Sequence, residues 1–320
     1  MISSTDSTNA NNICSALTLL ILMTRLSLSK LQQKPMDLSF FICLFALCCV
    51  TARIPITHYV LQYGTASDIA AKLKLNPKIL ETTNLAHVRI GSILSLTTRI
   101  LLTSVLWSMN LVLLLLYRRF IAHLPWMKHA ITASWIFMAV SYIAVVAATF
   151  LECRPFSLWW QIQPSPGTCV KAYYQTVIQC VSNIVVDVVL MLISVPLLFI
   201  QGSSVRQKMR IGGLISLGLF CIIVTCLRLG YIFVQGSLQP TRSFWGSIQL
   251  LMATAVANAP VLYGSVNLFK RKGKTSYGYG ATGPQTGTAR VTGQQRTMFE
   301  EEKDGVIVKQ TVVTLETDKV

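Results

Sequence analysis

Residues 173–200 read YYQTVIQCVSNIVVDVVLMLISVPLLFI and contain one charged side chain, Asp187. An α-helix rises about 1.5 Å per residue, so about 20 apolar residues are enough to cross the hydrocarbon core of a bilayer, which is roughly 30 Å thick. This stretch is therefore long enough and apolar enough to cross once. It predicts a transmembrane α-helix.

Five further stretches are nearly free of charge, and a shorter one lies near the amino terminus. Together they predict an all-α, polytopic membrane fold, a seven-helix bundle, with spans at about residues 12–28, 38–60, 93–117, 130–151, 173–200, 211–234 and 244–268. The apolar core of the first span, residues 13–23, has a length that also fits a signal peptide. No Lys or Arg precedes that core, so we favour a short or truncated first helix over a cleaved signal.

The composition agrees with a protein of the bilayer. The chain is 52% hydrophobic and 12% charged, whereas soluble domains average roughly 25% charged residues. This excludes an ordinary soluble enzyme. A net charge of +16 would suggest a nucleic-acid partner in a soluble protein, but here Lys and Arg cluster in short loops beside apolar segments. We expect a multi-pass protein of the plasma membrane or an endomembrane, with lipid and not nucleic acid as its partner.

Loop charges predict the orientation of the bundle. Alternate loops carry 13 Lys and Arg on one side, with Arg25 counted among them, and 7 on the other, with Arg242 counted among them. The richer side normally faces the cytoplasm, so the amino terminus is predicted outside and the carboxyl terminus inside. Cys153 and Cys169 share a loop assigned to the outside, where an oxidising compartment would let them form a disulfide. Two reduced thiols are the alternative, and the cysteine spacing indicates no metal site.

Polar side chains inside the spans are the candidate site. Span five carries Gln175, Gln179, Asn183 and Asp187, each four residues from the next. Four residues turn a helix by about 400°, so these side chains form one stripe, which must face the bundle interior in lipid. The stripe either makes interhelical hydrogen bonds or serves a ligand or a conformational switch.

Arg99 and Arg228 also lie deep within spans, and Arg53 lies near the far end of span two. Counting about 1.5 Å per residue from the cytoplasmic ends places Arg99 and Arg228 at roughly 25 Å and Asp187 at roughly 18 Å. Because a buried charge needs a partner, we expect Asp187 to pair with Arg228 or Arg99. That pair predicts a lower folded yield for Asp187→Asn and partial rescue by Arg228→Gln. The remaining arginine either extends to the outer interface or meets an anionic ligand.

The loop that holds Cys153 and Cys169 also carries an aromatic patch, Phe156, Trp159 and Trp160. Aromatic residues collect at membrane interfaces, and a lid over a ligand is the alternative interpretation. Residues 269–320 are rich in Gly, Thr, Gln and Ser and predict a disordered cytoplasmic tail. Its basic start, residues 270–274, suits the anionic lipid of the inner leaflet.

Taken in order, short motifs along the chain resemble one family. They are Asp37, YG at 63–64, WSM at 107–109, LYRRF at 116–120, ECRP at 152–155, Trp159, GTC at 167–169, Asn183, Asp187, Pro196, RQK at 206–208, Gly218, Arg228 and Pro260. In that order they resemble the fungal rhodopsin-domain integral membrane proteins, which include Pth-eleven-like seven-helix surface receptors and the membrane protein of the satratoxin cluster. The likeness covers about residues 15–268. Asn110 replaces a Lys common in that family, and Gln249 replaces an acid.

The resemblance implies a receptor-like protein without enzymatic activity, bound to a small-molecule ligand and a cytoplasmic signalling protein. Arg118, Arg119 and Lys208 are the candidates for cytoplasmic coupling. A retinal Schiff base needs a Lys within the bundle, and residues 243–269 contain none, so we expect no retinal and no other cofactor or metal. The alternative is a membrane component of a secondary-metabolite pathway, either a cyclase or a transporter. A cyclase would need acids inside the bundle, and a transporter usually shows repeated halves or broken helices.

Overall fold

The computed structural model describes residues 2–31, 37–73, 84–121, 127–162, 167, 169–199, 205–277, 302–303 and 306–307. The helices in these ranges are α1 (Ser4–Leu31), α2 (Leu38–Tyr63), α3 (Ala66–Leu73), α4 (Leu85–Ile121), α5 (Met127–Leu151), α6 (Tyr173–Phe199), α7 (Val205–Val234) and α8 (Gln239–Tyr277). Short 3-10 turns occur at Phe156–Trp159 and Cys169–Lys171. Seven helices are long and apolar enough to cross a membrane, which confirms the predicted all-α seven-helix fold.

The prediction of a short first helix is wrong. α1 has 28 residues and is the length of a full span. Its buried face carries Ser7, Asn11, Ser15 and Thr18, which recur every three or four residues. The hydroxyl of Ser7 donates to the carbonyl oxygen of Pro240 at 2.9 Å. Runs of apolar residues do not reveal this part of the helix, because polar side chains line its buried face.

Apolar side chains cover the outside of the bundle and polar ones occupy much of its inside. On α5, Ile136, Val140 and Ile143 are 59–65% exposed and share one helix face. Buried serines, threonines, asparagines and glutamines line the interior on most of the other helices. A soluble protein shows the reverse pattern. The outer surface is therefore suited to lipid, and the chain is a multi-pass membrane protein.

Helix α4 is the centre of the bundle. In the most apolar stretch of this helix 72% of the residues are buried, whereas the share is 28% in α1, α5 and α7. Helix α4 packs on α2, α5 and α6. Near its start, a Cβ on Gly91 would lie 2.1 Å from the carbonyl oxygen of Gly64, which follows α2. Since that contact is with backbone, α4 can approach α2 this closely only with glycine at residue 91.

One end of the bundle, named here the disulfide end, holds a second apolar cluster. Cys153 and Cys169 form the predicted disulfide there, with Cα atoms 5.3 Å apart. The cluster consists of Ala66, Leu96, Cys153, Trp159, Val170 and Ala172. It ties the loop between α5 and α6 to α3 and α4. The short helix α3 was not predicted from the sequence.

The carboxyl-terminal part extends past the predicted domain boundary. α8 continues to Tyr277, whereas the predicted span ends at residue 268. Within the segment predicted to be disordered, Glu302–Lys303 pairs with Val306–Ile307 as two antiparallel strands, with Glu302 opposite Ile307. Most of that segment lies outside the described residues, so disorder there stays a prediction.

Candidate functional site

The polar stripe of α6 faces the bundle interior, as its spacing predicts. Gln175, Gln179, Asn183 and Asp187 are between 1% and 8% exposed. The first two are joined by a hydrogen bond from Gln175 Nε2 to Gln179 Oε1 at 3.2 Å. Gln179 Nε2 also donates to the hydroxyl of Thr103 on α4 at 3.2 Å. Gln175 and Gln179 therefore make one bond within α6 and one interhelical bond to α4, of the kind that stabilises bundles in lipid.

The lower half of the stripe surrounds Asp187. Asn110 Nδ2 on α4 donates to Asn183 Oδ1 at 3.3 Å, and Asn183 Nδ2 donates to Asp187 Oδ2 at 3.1 Å. Asp187 also lines a cavity of about 30 Å³ between α4, α6, α7 and α8. A cavity of this size holds about one water molecule. It is too small for an organic ligand, which needs several hundred cubic ångströms.

Arg228 bonds to glutamines, so the predicted ion pair with Asp187 is wrong. Its guanidinium donates to Gln249 Oε1 and, at 3.5 Å, to Gln179 Oε1. Gln249 in turn donates from Nε2 to the hydroxyl of Thr225 at 3.2 Å. Helix rotation places these amide oxygens, and not the carboxylate, next to the guanidinium. The similar depths of Arg228 and Asp187 in the membrane therefore did not make them partners.

Arg99, the other candidate partner, lies at the disulfide end. Its guanidinium carbon is 4.9 Å from the centre of the Trp159 ring, within the range of a cation–π contact. Arg99 is 9% exposed, and its Nε and Nη1 atoms have no hydrogen-bond partner among the residues that the structure describes. The expectation that Arg99 pairs with Asp187 is therefore also wrong. Trp159 takes that place on the guanidinium face.

The aromatic patch divides between the inside and the outside of the loop. Trp159 is 1% exposed and belongs to the apolar cluster of the disulfide end. Phe156 is 40% exposed and contacts Phe150 and Trp160 with ring centres 5.9 and 5.3 Å away. Only Phe156 and part of Trp160 are thus placed as interfacial residues. Trp159 covers Arg99, and its role as a lid over a ligand stays a prediction.

Two carboxylates at the disulfide end were not predicted as part of the site. Glu152 accepts backbone N–H groups of Tyr174 and Gln175, at 2.9 and 3.1 Å, and so caps the start of α6. Burial raises the pKa of the Glu152 carboxyl, although these N–H groups act in the opposite direction. Asp68 accepts the backbone N–H of Gln239 at 2.9 Å and joins α3 to the start of α8.

Three further arginines are buried, although the sequence analysis placed two of them in loops. Arg25 donates to Asn258 Oδ1 at 2.7 Å and to the hydroxyl of Ser39 at 2.6 Å. Arg242 donates to the carbonyl oxygen of Lys171 at 3.1 Å. The loop count placed Arg25 on one side of the membrane and Arg242 on the other. Leaving both out removes one cation from each side, so the side predicted to be cytoplasmic still carries more Lys and Arg.

Arg53 is the third of these arginines and lies 2% exposed within α2. It donates to Asn11 Oδ1 at 3.0 Å and to the hydroxyl of Ser247 at 3.2 Å. This joins α1, α2 and α8 through one side chain. An arginine within an apolar run could have indicated this buried site. Its partner Asn11 lies in the part of α1 that was not predicted as helix, so the site was not recognised.

The coupling candidates lie at the end of the bundle opposite the disulfide. Arg118 is exposed near the end of α4. The side chains of Arg119 and Lys208 lie outside the described residues, although both positions belong to helices. Within the described ranges, no group of three His, Cys, Asp or Glu residues is arranged to bind a metal.

Comparison with known proteins gives one match, which covers most of the bundle. A family model described as the fungal rhodopsin domain matches residues 20–267. Neither the search of curated proteins nor the search of solved structures gives a match. The matched range begins within α1 and ends within α8, so it includes Asp187, both glutamine partners of Arg228, and the disulfide.

Proposed function

Because the chain belongs to the fungal rhodopsin domain family, we propose that it is a receptor-like seven-helix membrane protein that carries no retinal and catalyses no reaction. The observation that carries this proposal is a pair of buried hydrogen-bond networks. One runs from Asn110 on α4 through Asn183 to Asp187 on α6, and the other joins α6, α7 and α8 through Gln179, Arg228 and Gln249. A network of this kind can adopt a second arrangement when one member changes partner. Such an element is what a ligand biases in a signalling protein.

The site favours signalling over the synthesis of a metabolite. An integral cyclase needs a cavity that admits its substrate and an acid that protonates it. The cavity beside Asp187 measures about 30 Å³ and would not admit a terpene. Asp187 is therefore better placed to change hydrogen-bond partner within the bundle than to act as a catalytic acid.

The orientation is part of the proposal. The disulfide end is assigned to the outside or the lumen, because a disulfide is maintained in an oxidising compartment. Ser4, the first residue of α1, lies at the same end, and its hydroxyl donates to the carbonyl oxygen of Leu61 near the end of α2. Arg118 at the other end then faces the cytoplasm, where a signalling protein would bind.

Nucleotide exchange by added G protein tests this function. Membranes that contain the chain should accelerate GTPγS binding by a purified fungal G-protein heterotrimer relative to empty membranes. Arg118→Glu should reduce this acceleration, because a charge of opposite sign at the proposed contact repels the partner. Arg154→Glu is the matched control, since Arg154 is also exposed but lies at the disulfide end. No acceleration with any fungal Gα class, or equal loss in both variants, would contradict the proposal.

A further inference from the structure

The interior of the disulfide end carries more positive than negative charge. Arg99 lies within electrostatic range of two arginines, Arg228 and Arg242, and of two carboxylates, Asp68 and Glu152. Arg53 lies in turn within electrostatic range of Arg228. Buried guanidinium groups therefore outnumber the two carboxylates at this end of the bundle. Buried charges in a membrane protein are usually paired, because an unpaired one is destabilising.

Hydrogen bonds divide these groups unequally. Both carboxylates accept backbone N–H groups at the starts of α6 and α8, and Arg242 donates to a carbonyl oxygen and to the hydroxyl of Thr176. Arg228 donates to two glutamine oxygens. In the part of the chain that the structure describes, Arg228 has one buried nitrogen without a partner, Nε, and Arg99 has two, Nε and Nη1.

Among the described residues, no acceptor lies within hydrogen-bond distance of those nitrogens of Arg99. The ring face of Trp159 attracts the cation, yet it accepts nothing from the N–H groups that lie in the guanidinium plane. The indole N–H of Trp159 is itself buried without an acceptor among the described residues. Neighbouring apolar side chains, Leu96 and Val170, belong to the same cluster as Trp159.

We propose that Arg99 binds an oxyanion attached to an apolar body, with Trp159 as the group that covers it. A guanidinium presents two parallel N–H groups on its Nε/Nη2 edge and two on its Nη1/Nη2 edge, and either pair matches the two oxygens of a carboxylate. An anion reduces the excess of positive charge, and the apolar cluster receives the rest of the ligand. In the structure Trp159 closes the site, so the ligand enters as that side chain rotates away.

This inference rests on the proposed function, because it names the ligand class of the receptor. The oxyanion has two sources, a small carboxylate or the headgroup of an acidic lipid. The polar ladder from Gln175 to Gln179 and on to Arg228 begins beside this site. Thr103, which accepts from Gln179, also donates to the carbonyl oxygen of Arg99 at 2.9 Å.

Thermal inactivation of the full chain in nanodiscs of phosphatidylcholine tests the site. The probes are benzoate and phenylacetate, each with its neutral amide as the isosteric control. We expect a saturable rise of the inactivation midpoint with the carboxylates only, together with a change of tryptophan fluorescence. Arg99→Gln should weaken the apparent affinity for the carboxylates by about 10- to 100-fold, as expected for hydrogen bonds to a charged group.

Three further variants keep the result interpretable. Arg25→Gln removes an equal charge from a buried arginine that is fully bonded elsewhere, and it should leave the carboxylate effect unchanged. Arg99→Lys and Trp159→Phe are conservative changes for the case in which Arg99→Gln does not fold, and both should weaken binding severalfold. Full affinity in the Arg99 and Trp159 variants, or equal stabilisation by carboxylates and amides, would overturn the proposal. So would the absence of any saturable effect.

Nanodiscs that contain phosphatidylglycerol distinguish the two sources. If that lipid stabilises the wild type, suppresses the benzoate effect, and does neither in Arg99→Gln, the headgroup is the oxyanion that Arg99 binds. The nucleotide-exchange assay separates this inference from the proposed function. If carboxylates bind but do not alter nucleotide exchange, the oxyanion site is supported and the receptor function is contradicted. If the chain accelerates nucleotide exchange but binds no oxyanion, only the oxyanion site is refuted.

Discussion

Replacing Asp187 by Asn should leave the bundle as stable as the wild type or make it more stable. The only protein hydrogen bond found for this carboxylate in the described residues comes from Asn183 Nδ2 at 3.1 Å. The side-chain oxygen of an asparagine at residue 187 can accept the same bond, because the two side chains have the same shape. The ion pair expected from the sequence predicts the opposite, a loss of folded protein.

The magnitude follows from two opposing effects at Asp187. A charged side chain in the centre of a bilayer costs about 2.5–3.5 kcal/mol on the insertion scale. An interhelical hydrogen bond contributes about 0.6 kcal/mol on average, and most of it survives in Asp187→Asn. The net change in the free energy of unfolding is therefore a gain of about 0–3 kcal/mol, the lower limit applying to a carboxyl that is already protonated.

Heat inactivation of a fluorescent fusion, followed by size-exclusion chromatography in detergent, measures this change. Asp187→Leu is the control, because it removes the acceptor and leaves the buried amide of Asn183 unsatisfied, at a cost of about 1–3 kcal/mol. Its midpoint should fall while that of Asp187→Asn does not. Equal destabilisation by the two changes would refute the reasoning and restore a cationic partner for Asp187.

Three further predictions concern packing, the disulfide and Arg228. Gly91→Ala should prevent α4 from packing on the backbone oxygen that follows α2 and should sharply lower the yield of monodisperse protein, because the new Cβ would lie 2.1 Å from that oxygen; normal yield would refute the contact. Cys153→Ser removes the disulfide to Cys169, which lies 16 residues further along the chain, and should lower the free energy of unfolding by about 3 kcal/mol. The inactivation midpoint should fall, and a reducing agent should lower the midpoint of the wild type by the same amount. Arg228→Leu should cost about 1.5–3 kcal/mol because Gln249 loses its charged donor, whereas Arg228→Gln restores a donor and should cost less; equal midpoints would exclude that bond.

Much of the fold could be predicted because lipid imposes simple rules on sequence. A span must be long and apolar, so the six longer spans were found from runs without charge. Spacing alone also predicted which face of α6 turns inward, since polar groups four residues apart share one side of a helix. The disulfide followed from two loop cysteines and the predicted side of that loop.

Partner choice within the bundle could not be predicted in the same way. Arg228 and Asp187 lie at similar heights, yet Arg228 bonds to Gln249 and Gln179. Height depends on residue counts along one helix, whereas a hydrogen bond depends on the rotation of two helices and on side-chain rotamers. For the same reason Arg25 was taken for a loop cation, although Asn258 and Ser39 hold it inside.

By itself, the sequence determined that the chain is a multi-pass helical membrane protein with a polar stripe on its fifth span. These properties are local, because each depends on residues that are neighbours along one helix. Only the tertiary structure decided that Trp159 covers Arg99, that the amides of Gln179 and Gln249 bind Arg228, and that α1 is a full-length helix. Those contacts join residues far apart in the chain, and only the packing of one helix against another brings them together.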